Sequence, residues 1–289
     1  MKSFPKITIV TPSYNQGKYL EDTILSVINQ GYPNLEYFVF DGGSTDNSVE
    51  IIKKYEDRID YWVSEKDNGQ ADAICRGLKR GTGEICTWIN SDDMLAPGAL
   101  YKIAELYNDN SFDLFVGDVD EINEKNEKIG RFTGFLGNKQ NPFTWKIAQP
   151  GSFFSRNAFL AYPINAQMHY AFDMDFWIRL RNSSDKVRYE SVTFAKFRRH
   201  SETKSSGGDI VFRRELLEYY IDLYRNRCFA QIHEKRLVEL IMIFAKKIIL
   251  QNNQNHYLSI LKKLSMFLYL RIIINLIFCK LVASLRKVL

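Results

Sequence analysis

Four times within about the first hundred residues, a short apolar run rich in β-branched and aromatic residues ends in polar residues and gives way to a helical pattern. The runs lie at 7–10, 37–40, 61–63 and 85–89, and the helical stretches that follow lie near 20–28, 47–55, 71–78 and 98–108. Strands alternating with helices at this spacing predict a parallel, doubly wound sheet. Ligands of such sheets bind beyond the carboxyl ends of the strands, where this chain places its polar and acidic loops, so the loops converge on one cleft.

The loops narrow the chemistry. The second strand ends at Asp41-Gly42-Gly43-Ser44-Thr45-Asp46, whose glycines allow a tight turn and close backbone approach to a ligand. No G-x-G-x-x-G follows the first strand and no G-x-x-x-x-G-K-S/T occurs, so neither the dinucleotide fingerprint nor a Walker loop is present. The fourth strand runs into Asn90-Ser91-Asp92-Asp93. Two adjacent carboxylates at a strand end suit a hard divalent cation, and oxygen ligands without His or Cys select magnesium or manganese. The same residues are also ordinary turn and helix-capping types, and Met94-Leu95-Ala96-Pro97-Gly98 could be a turn into the next helix.

Taken in order, Thr11-Pro12-Ser13-Tyr14-Asn15, Asp41-Gly42-Gly43-Ser44-Thr45-Asp46 and Trp88-Ile89-Asn90-Ser91-Asp92-Asp93 resemble the donor-binding half of the family 2 glycosyltransferases. The resemblance covers about residues 4 to 205. It implies the GT-A fold, a Rossmann-like α/β architecture with a mixed central sheet flanked by helices. It also implies inverting transfer of a sugar from a nucleotide diphosphate sugar, UDP-sugar above all, with Mn2+ or Mg2+ holding the diphosphate.

Carried over by motif, Thr11, Pro12, Ser13 and Tyr14 line the nucleotide pocket, and Asp41 meets the base or ribose. Many relatives have a second acid after that aspartate, where this chain has Gly42. Asp92 and Asp93 match the metal motif, with Asp93 expected to coordinate directly and Asp92 also facing the nucleotide sugar. Asp67, Gln70 and Arg76 resemble a second donor-side segment, in which a basic residue approaches the diphosphate. Arg76 could equally be a solvated charge on a helix surface.

In the second half, Phe172-Asp173-Met174-Asp175-Phe176-Trp177-Ile178-Arg179-Leu180 resembles the segment that carries the family's catalytic aspartate, with Phe172 where a glutamate is usual. Asp173 is therefore the expected general base for the acceptor hydroxyl. Asp173 or Asp175 could instead cap the helix over 176–180, and Asp175 is the favoured cap. Gln149 could hydrogen-bond a sugar or sit exposed beside its Pro-Gly turn. Arg198-Arg199-His200 matches a segment near the diphosphate, where cations offset leaving-group charge and His200 is a candidate metal contact. The Ser205-Ser206-Gly207-Gly208 break divides a catalytic domain, 1–205, from a helical C-terminal extension, 206–289.

The formal net charge is +5, yet no Asp or Glu follows Glu239, so the positive excess belongs to the tail. Lys262, Lys263, Arg271, Lys280, Arg286 and Lys287 are interleaved there with Ile, Leu and Phe, the composition of an interfacial anchor on anionic lipid. Arg271 and Lys280 cut the apolar runs well short of the roughly 20 residues that a membrane span needs. A helical hairpin packed on the catalytic domain or on another subunit is the alternative, which leaves a homo-oligomer open. The interleaving does not suit nucleic acid. Without an apolar leader, and with Cys75, Cys86, Cys228 and Cys279 lacking C-x-x-C spacing, the expected setting is cytoplasmic, peripheral on the inner face of the plasma membrane. A glycan or lipid-linked acceptor of cell-surface polysaccharide synthesis would explain the tail. A nucleotidyltransferase is disfavoured because the Gly-rich, basic first loop it would need after Val10 is missing. A non-catalytic sugar-nucleotide or lipid-binding subunit is disfavoured by the intact Asp92, Asp93 and Asp173.

Overall fold

Strand β1 (Ile7–Ser13) sits between β2 (Leu35–Asp41) and β4 (Ile85–Trp88), with β3 (Tyr61–Ser64) outside β2, and all four run parallel. The computed structural model describes residues 4–137, 145–201, 210–225 and 241. Beyond β4 the sheet becomes mixed. β8 (Ser152–Ser155) lies antiparallel to both β4 and β6 (Leu114–Ile122), β9 (Val187–Arg198) runs parallel to β6, and β5 (Met94–Leu95) closes the edge antiparallel to β9. A further strand, β7 (Lys128–Phe132), pairs with β6 as a hairpin.

Period-2 alternation in the strands feeds two hydrophobic layers. Ile7, Ile9, Tyr37 and Val39 pack on one face with Leu20, Ile24 and Val27 of α1 (Gly17–Ile28), Ile52 of α2 (Ser48–Lys54) and Leu100 and Ile103 of α4 (Ala99–Asp109). Val10, Phe38 and Phe40 pack on the other with Ala71, Ile74 and Leu78 of α3 (Gln70–Arg80), Phe159 of α5 (Arg156–Ala161) and Phe176 and Trp177 of α6 (Phe172–Ser183). Close approach of α3 to the sheet depends on Gly77, where a Cβ would lie 2.6 Å from both methyls of Val10. Each strand and helix expected in the first hundred residues is present with boundaries shifted by a few residues, and α6 starts four residues before the expected 176.

Compact units divide the chain at Met1–Thr203 and Lys204–Leu289. Within the second, helix α7 (Ile210–Arg225) buries Leu216, Leu217, Tyr220 and Ile221, a helical i, i+1, i+4, i+5 pattern. The basic, apolar stretch 262–289 lies outside the described residues. Among the described residues, no helix is long and apolar enough to cross a membrane. Cys75 and Cys86 are free and buried. Burial pushes their thiols up to about 11 and about 12, which leaves both protonated near neutral pH.

Glu36 ties the amino-terminal edge of the sheet together. It accepts hydrogen bonds from Lys6 Nζ at 3.1 Å, Thr8 Oγ1 at 2.7 Å and the Thr82 N–H at 2.7 Å. Burial raises its pKa, but these bonds and the Thr82 hydroxyl outweigh burial and bring it from 4.5 down to about 2. A depressed carboxylate contributes stability above its unfolded pKa and loses it as pH falls toward its folded one. Glu36→Gln should therefore be less stable than wild type in urea at neutral pH, with the gap closing as pH falls from 4.5 toward 2. A gap that stayed constant on acidification would show that the Glu36 charge contributes nothing.

Candidate functional site at the carboxyl edge of the sheet

Because β1 to β4 are parallel, the residues that follow them share one edge: Tyr14 after β1, Gly42 after β2, Glu65 to Asp67 after β3, and Asn90 to Asp93 after β4. The first two loops are clasped together by their own polar residues. Asn15, at a φ of 50°, accepts from the Thr45 N–H at 2.8 Å and donates its own N–H to Ser44 Oγ at 2.8 Å. The Asp46 carboxylate accepts from the Gly17 N–H at 2.9 Å and the Ser48 N–H at 3.0 Å, so it satisfies free amides at the starts of both α1 and α2.

Several expected ligand contacts are turned inward. Thr11 is fully buried, its hydroxyl 3.1 Å from Tyr37 Oη inside the sheet layer, and Pro12 is buried beside it. Ser13 is also buried, but its Oγ has no hydrogen-bond partner among the described residues, as expected of a hydroxyl that a ligand could engage. Asp41, expected at the base or ribose, uses both oxygens to build its own loop. They accept from Gly43 N–H, Ser44 N–H, Ser44 Oγ and Ser64 Oγ, and the side chain is buried. Arg76 pairs with Glu65, and its guanidinium stacks 5.3 Å from the Phe40 ring centroid, which supports the surface-charge alternative.

The missing acid at position 42 has a spatial substitute. A Cβ built on Gly42 would lie 3.2 and 3.3 Å from the two carboxylate oxygens of Asp67 and 3.3 Å from the Tyr14 ring. Glycine thus leaves room for a carboxylate from the loop after β3. Asp67 Oδ1 also accepts from the N–H of Gly69, which at a φ of 107° turns the chain into α3.

At the end of β4, a chain of amides crosses the floor of the edge. Gln70 Nε2 donates to Asn90 Oδ1 at 2.7 Å, Asn90 Nδ2 donates to Gln149 Oε1 at 3.1 Å, and Gln149 Nε2 donates to the Trp88 carbonyl at 2.7 Å. Gln149 is thus a strut of the site floor, its amide bonded to protein groups at both ends. Asn90 Nδ2 also reaches Asp93 Oδ2 at 3.2 Å, while the Arg198 N–H donates to Asp93 Oδ1 at 3.0 Å. Asp93 is fully buried. Burial, and next the Asp92 carboxylate, push the Asp93 carboxyl well above the ordinary aspartate range. Both oxygens of Asp93, expected to be the direct ligand, are thus held from within the protein.

Asp92 keeps its carboxylate at the surface, with 20% of the side chain exposed, and its Oδ2 lies 3.0 Å from His200 Nε2. The His200 ring also lies 4.9 Å from that of Tyr19. Of the two arginines before it, Arg198 is buried with its Nε donating to the Asp92 carbonyl at 2.8 Å, and Arg199 pairs with Glu121.

Asp173 lies in the first turn of α6, and that turn is anchored to the end of β4. Trp88 stacks on Trp177 with centroids 5.5 Å apart and planes within 6°, and Phe172 packs 6.1 Å from Trp88. Such aromatic pairs are worth about 0.5–1.5 kcal/mol each beyond area burial. Phe172, where a glutamate was expected, is thereby a core residue. Ala171 occupies the cap position, Asp173 Oδ1 accepts from the first-turn N–H of Met174 at 2.6 Å, and Asp175 pairs with Arg179 one turn on, at 2.7 Å, so the expected capping role of Asp175 is replaced by an ion pair. His169 sits 3.3 Å from the Cβ position of Gly69, bringing the approach to α6 against the loop after β3.

A GT-A type glycosyltransferase architecture is what this fold and edge define. The chain matches the Glycosyl transferase family 2 model over residues 8–176, and it belongs to that family. An uncharacterized glycosyltransferase of Haemophilus influenzae is 39% identical over 35% of this chain and 41% of its own. TuaG of Bacillus subtilis, provisionally named a teichuronic acid biosynthesis glycosyltransferase, is 34% identical over 37% of this chain and 44% of its own. The chain thus spans less than half the length of these relatives. The fold is similar to that of Staphylococcus aureus TarS in complex with UDP-GlcNAc, with a TM-score of 0.64, 15% identity and coverage of 90% of this chain and 79% of that one. It is also similar to the mannosyltransferase PcManGT of Pyrobaculum calidifontis in complex with GDP-Man and Mn2+, with a TM-score of 0.56, 14% identity and coverage of 90% and 79%.

Proposed function

We propose that the protein transfers a sugar from a UDP-sugar to a hydroxyl of a glycan or lipid-linked acceptor in cell-surface polysaccharide synthesis, with inversion at the anomeric carbon. The observation that carries this reading is the meeting of Asp92 with His200 on the strand edge that also holds Tyr14 and Asp67, with the helix that carries Asp173 in its first turn packed on the end of β4. Tyr14, 61% exposed, offers a ring face to the base, and the Asp67 carboxylate offers an acceptor to a base N–H. Ser13 Oγ supplies a further contact to the nucleoside.

Among the described residues, no group of three or more His, Cys, Asp and Glu could hold a metal ion. The Asp92 carboxylate nevertheless fits Mn2+ or Mg2+, because such ions are commonly held by one or two carboxylates plus phosphate oxygens and water, and His200 lies beside it as a second candidate contact. When bound, the cation would stabilise the charge that develops on the departing diphosphate. Asp173 takes the proton from the acceptor hydroxyl as that oxygen bonds to the anomeric carbon and the bond to the diphosphate breaks on the opposite face. Residues 1–205 form the catalytic domain in this reading, and the tail brings it to anionic lipid bearing the acceptor.

The test is release of nucleoside diphosphate from a panel of UDP- and GDP-sugars, with and without MnCl2. UDP release that requires Mn2+ is expected. Release only from GDP-sugars would overturn the base assignment, undiminished release in chelator would overturn the metal assignment, and no binding of any sugar nucleotide would overturn the whole.

A further inference from the structure

Arg198, the last residue of β9, buries its guanidinium completely, with a protein acceptor for each nitrogen. Nε donates to the Asp92 carbonyl at 2.8 Å, Nη1 to Asn126 Oδ1 at 2.5 Å and Nη2 to Asp22 Oδ2 at 3.2 Å. Nη1 also reaches the carbonyls of Asn123 and Glu124, each at 3.4 Å. The guanidinium lies 4.7 Å from the Tyr19 ring centroid, and Tyr19 in turn packs on His200. The main-chain N–H of the same residue holds Asp93.

A buried guanidinium is costly to desolvate, and an apolar residue of similar size is often at least as stable in such a place. Simple packing therefore gives no reason for an arginine here. What the fork does achieve is geometric. It joins α1, the turn between β6 and β7, and the Asp92 main chain at one point, directly behind the Asp92–His200 pair.

Resting on the donor and metal assignment above, we infer that Arg198 is a positioning residue for the diphosphate and cation site. It fixes the Asp92 main chain and the Tyr19–His200 contact, so that the carboxylate and the imidazole are aimed together before ligand arrives. Residues behind a metal's ligands typically change its affinity by 10- to 100-fold when removed. The turn at 123–127 belongs to the same device: Asn126 holds Nη1 and donates to Asp22 Oδ2 at 3.1 Å, from an exposed position outside the site.

The test compares Arg198→Lys, Arg198→Met and Asn126→Gly in the full chain. Asn126 has a φ of 66°, so glycine keeps the backbone and removes only the amide. UDP binding is followed by calorimetry at graded Mn2+, with thermal melting alongside. The Mn2+ concentration for half-maximal UDP affinity should rise about tenfold or more in Arg198→Lys and Arg198→Met and by a smaller factor in Asn126→Gly. A purely structural role would lower the melting temperature and leave the Mn2+ response of the folded protein where it was, overturning the inference. If the Arg198 variants do not fold, Asn126→Gly decides by the same criterion. A wild-type chain that binds no UDP at any Mn2+ concentration would overturn the donor assignment itself, and this role with it.

Discussion

Asp173→Asn is expected to reduce sugar transfer by roughly 10² or more while UDP affinity stays close to wild type. The substitution would remove the proposed proton acceptor while keeping an oxygen for the contact that Asp173 makes at the helix start. Its Oδ1 accepts from the Met174 N–H at 2.6 Å, a contact that the asparagine oxygen can keep. The negative charge near the start of α6 contributes about 0.3–2 kcal/mol of stability, which a shift in melting temperature would register. Single-turnover transfer and calorimetry with UDP separate the two effects. A parallel fall in affinity, stability and rate would assign Asp173 to the structure of the helix start instead of to the chemical step.

Asp92→Asn should abolish the Mn2+ dependence of UDP binding and lower turnover to background. A carboxamide keeps the shape of the side chain but loses the charge that attracts a hard cation. It can still hydrogen-bond His200, and Asp93, Asn90 and Arg198 remain in place, so the fold should persist. Asp93→Asn should instead destabilise the protein. Its buried Oδ1 and Oδ2 accept from an N–H and an amide NH2 that converge from opposite sides, and an amide nitrogen in either place would oppose a donor. Metal titrations and urea unfolding of the two variants distinguish them. Retained Mn2+ dependence in Asp92→Asn would move the direct contact back to Asp93.

The contrast between these neighbours, Asp93 buried and Asp92 at the surface, shows what a linear motif leaves open. Two consecutive carboxylates mark the end of β4 as acidic, but the direction of each depends on a strand about a hundred residues away. Met94 and Leu95 pair with Lys196 and Ala195, and that register places the Arg198 N–H against Asp93 and His200 against Asp92. Gly42 gives a second instance. In the chain it reads as a lost acid, whereas in the fold Asp67 supplies carboxylate oxygens 3.2 and 3.3 Å from the same Cβ position. The inward turn of Asp41 was equally hidden, since its partners include Ser64 on the neighbouring strand.

By itself, the sequence determined the alternation of strands and helices, the parallel half of the sheet and the edge on which the polar loops gather. These follow from local periodicity, from glycine at turns and from the burial of both sheet faces, which contiguous residues encode. Tertiary structure decided which polar groups reach the site and which are used to hold it. The antiparallel insertion of β8, the β5–β9 register and the aromatic packing of α6 on Trp88 are long-range pairings. Hydrogen bonding at such a place is set by whichever donors the whole fold brings within about 3 Å, and burial then removes the water that would otherwise compete for them.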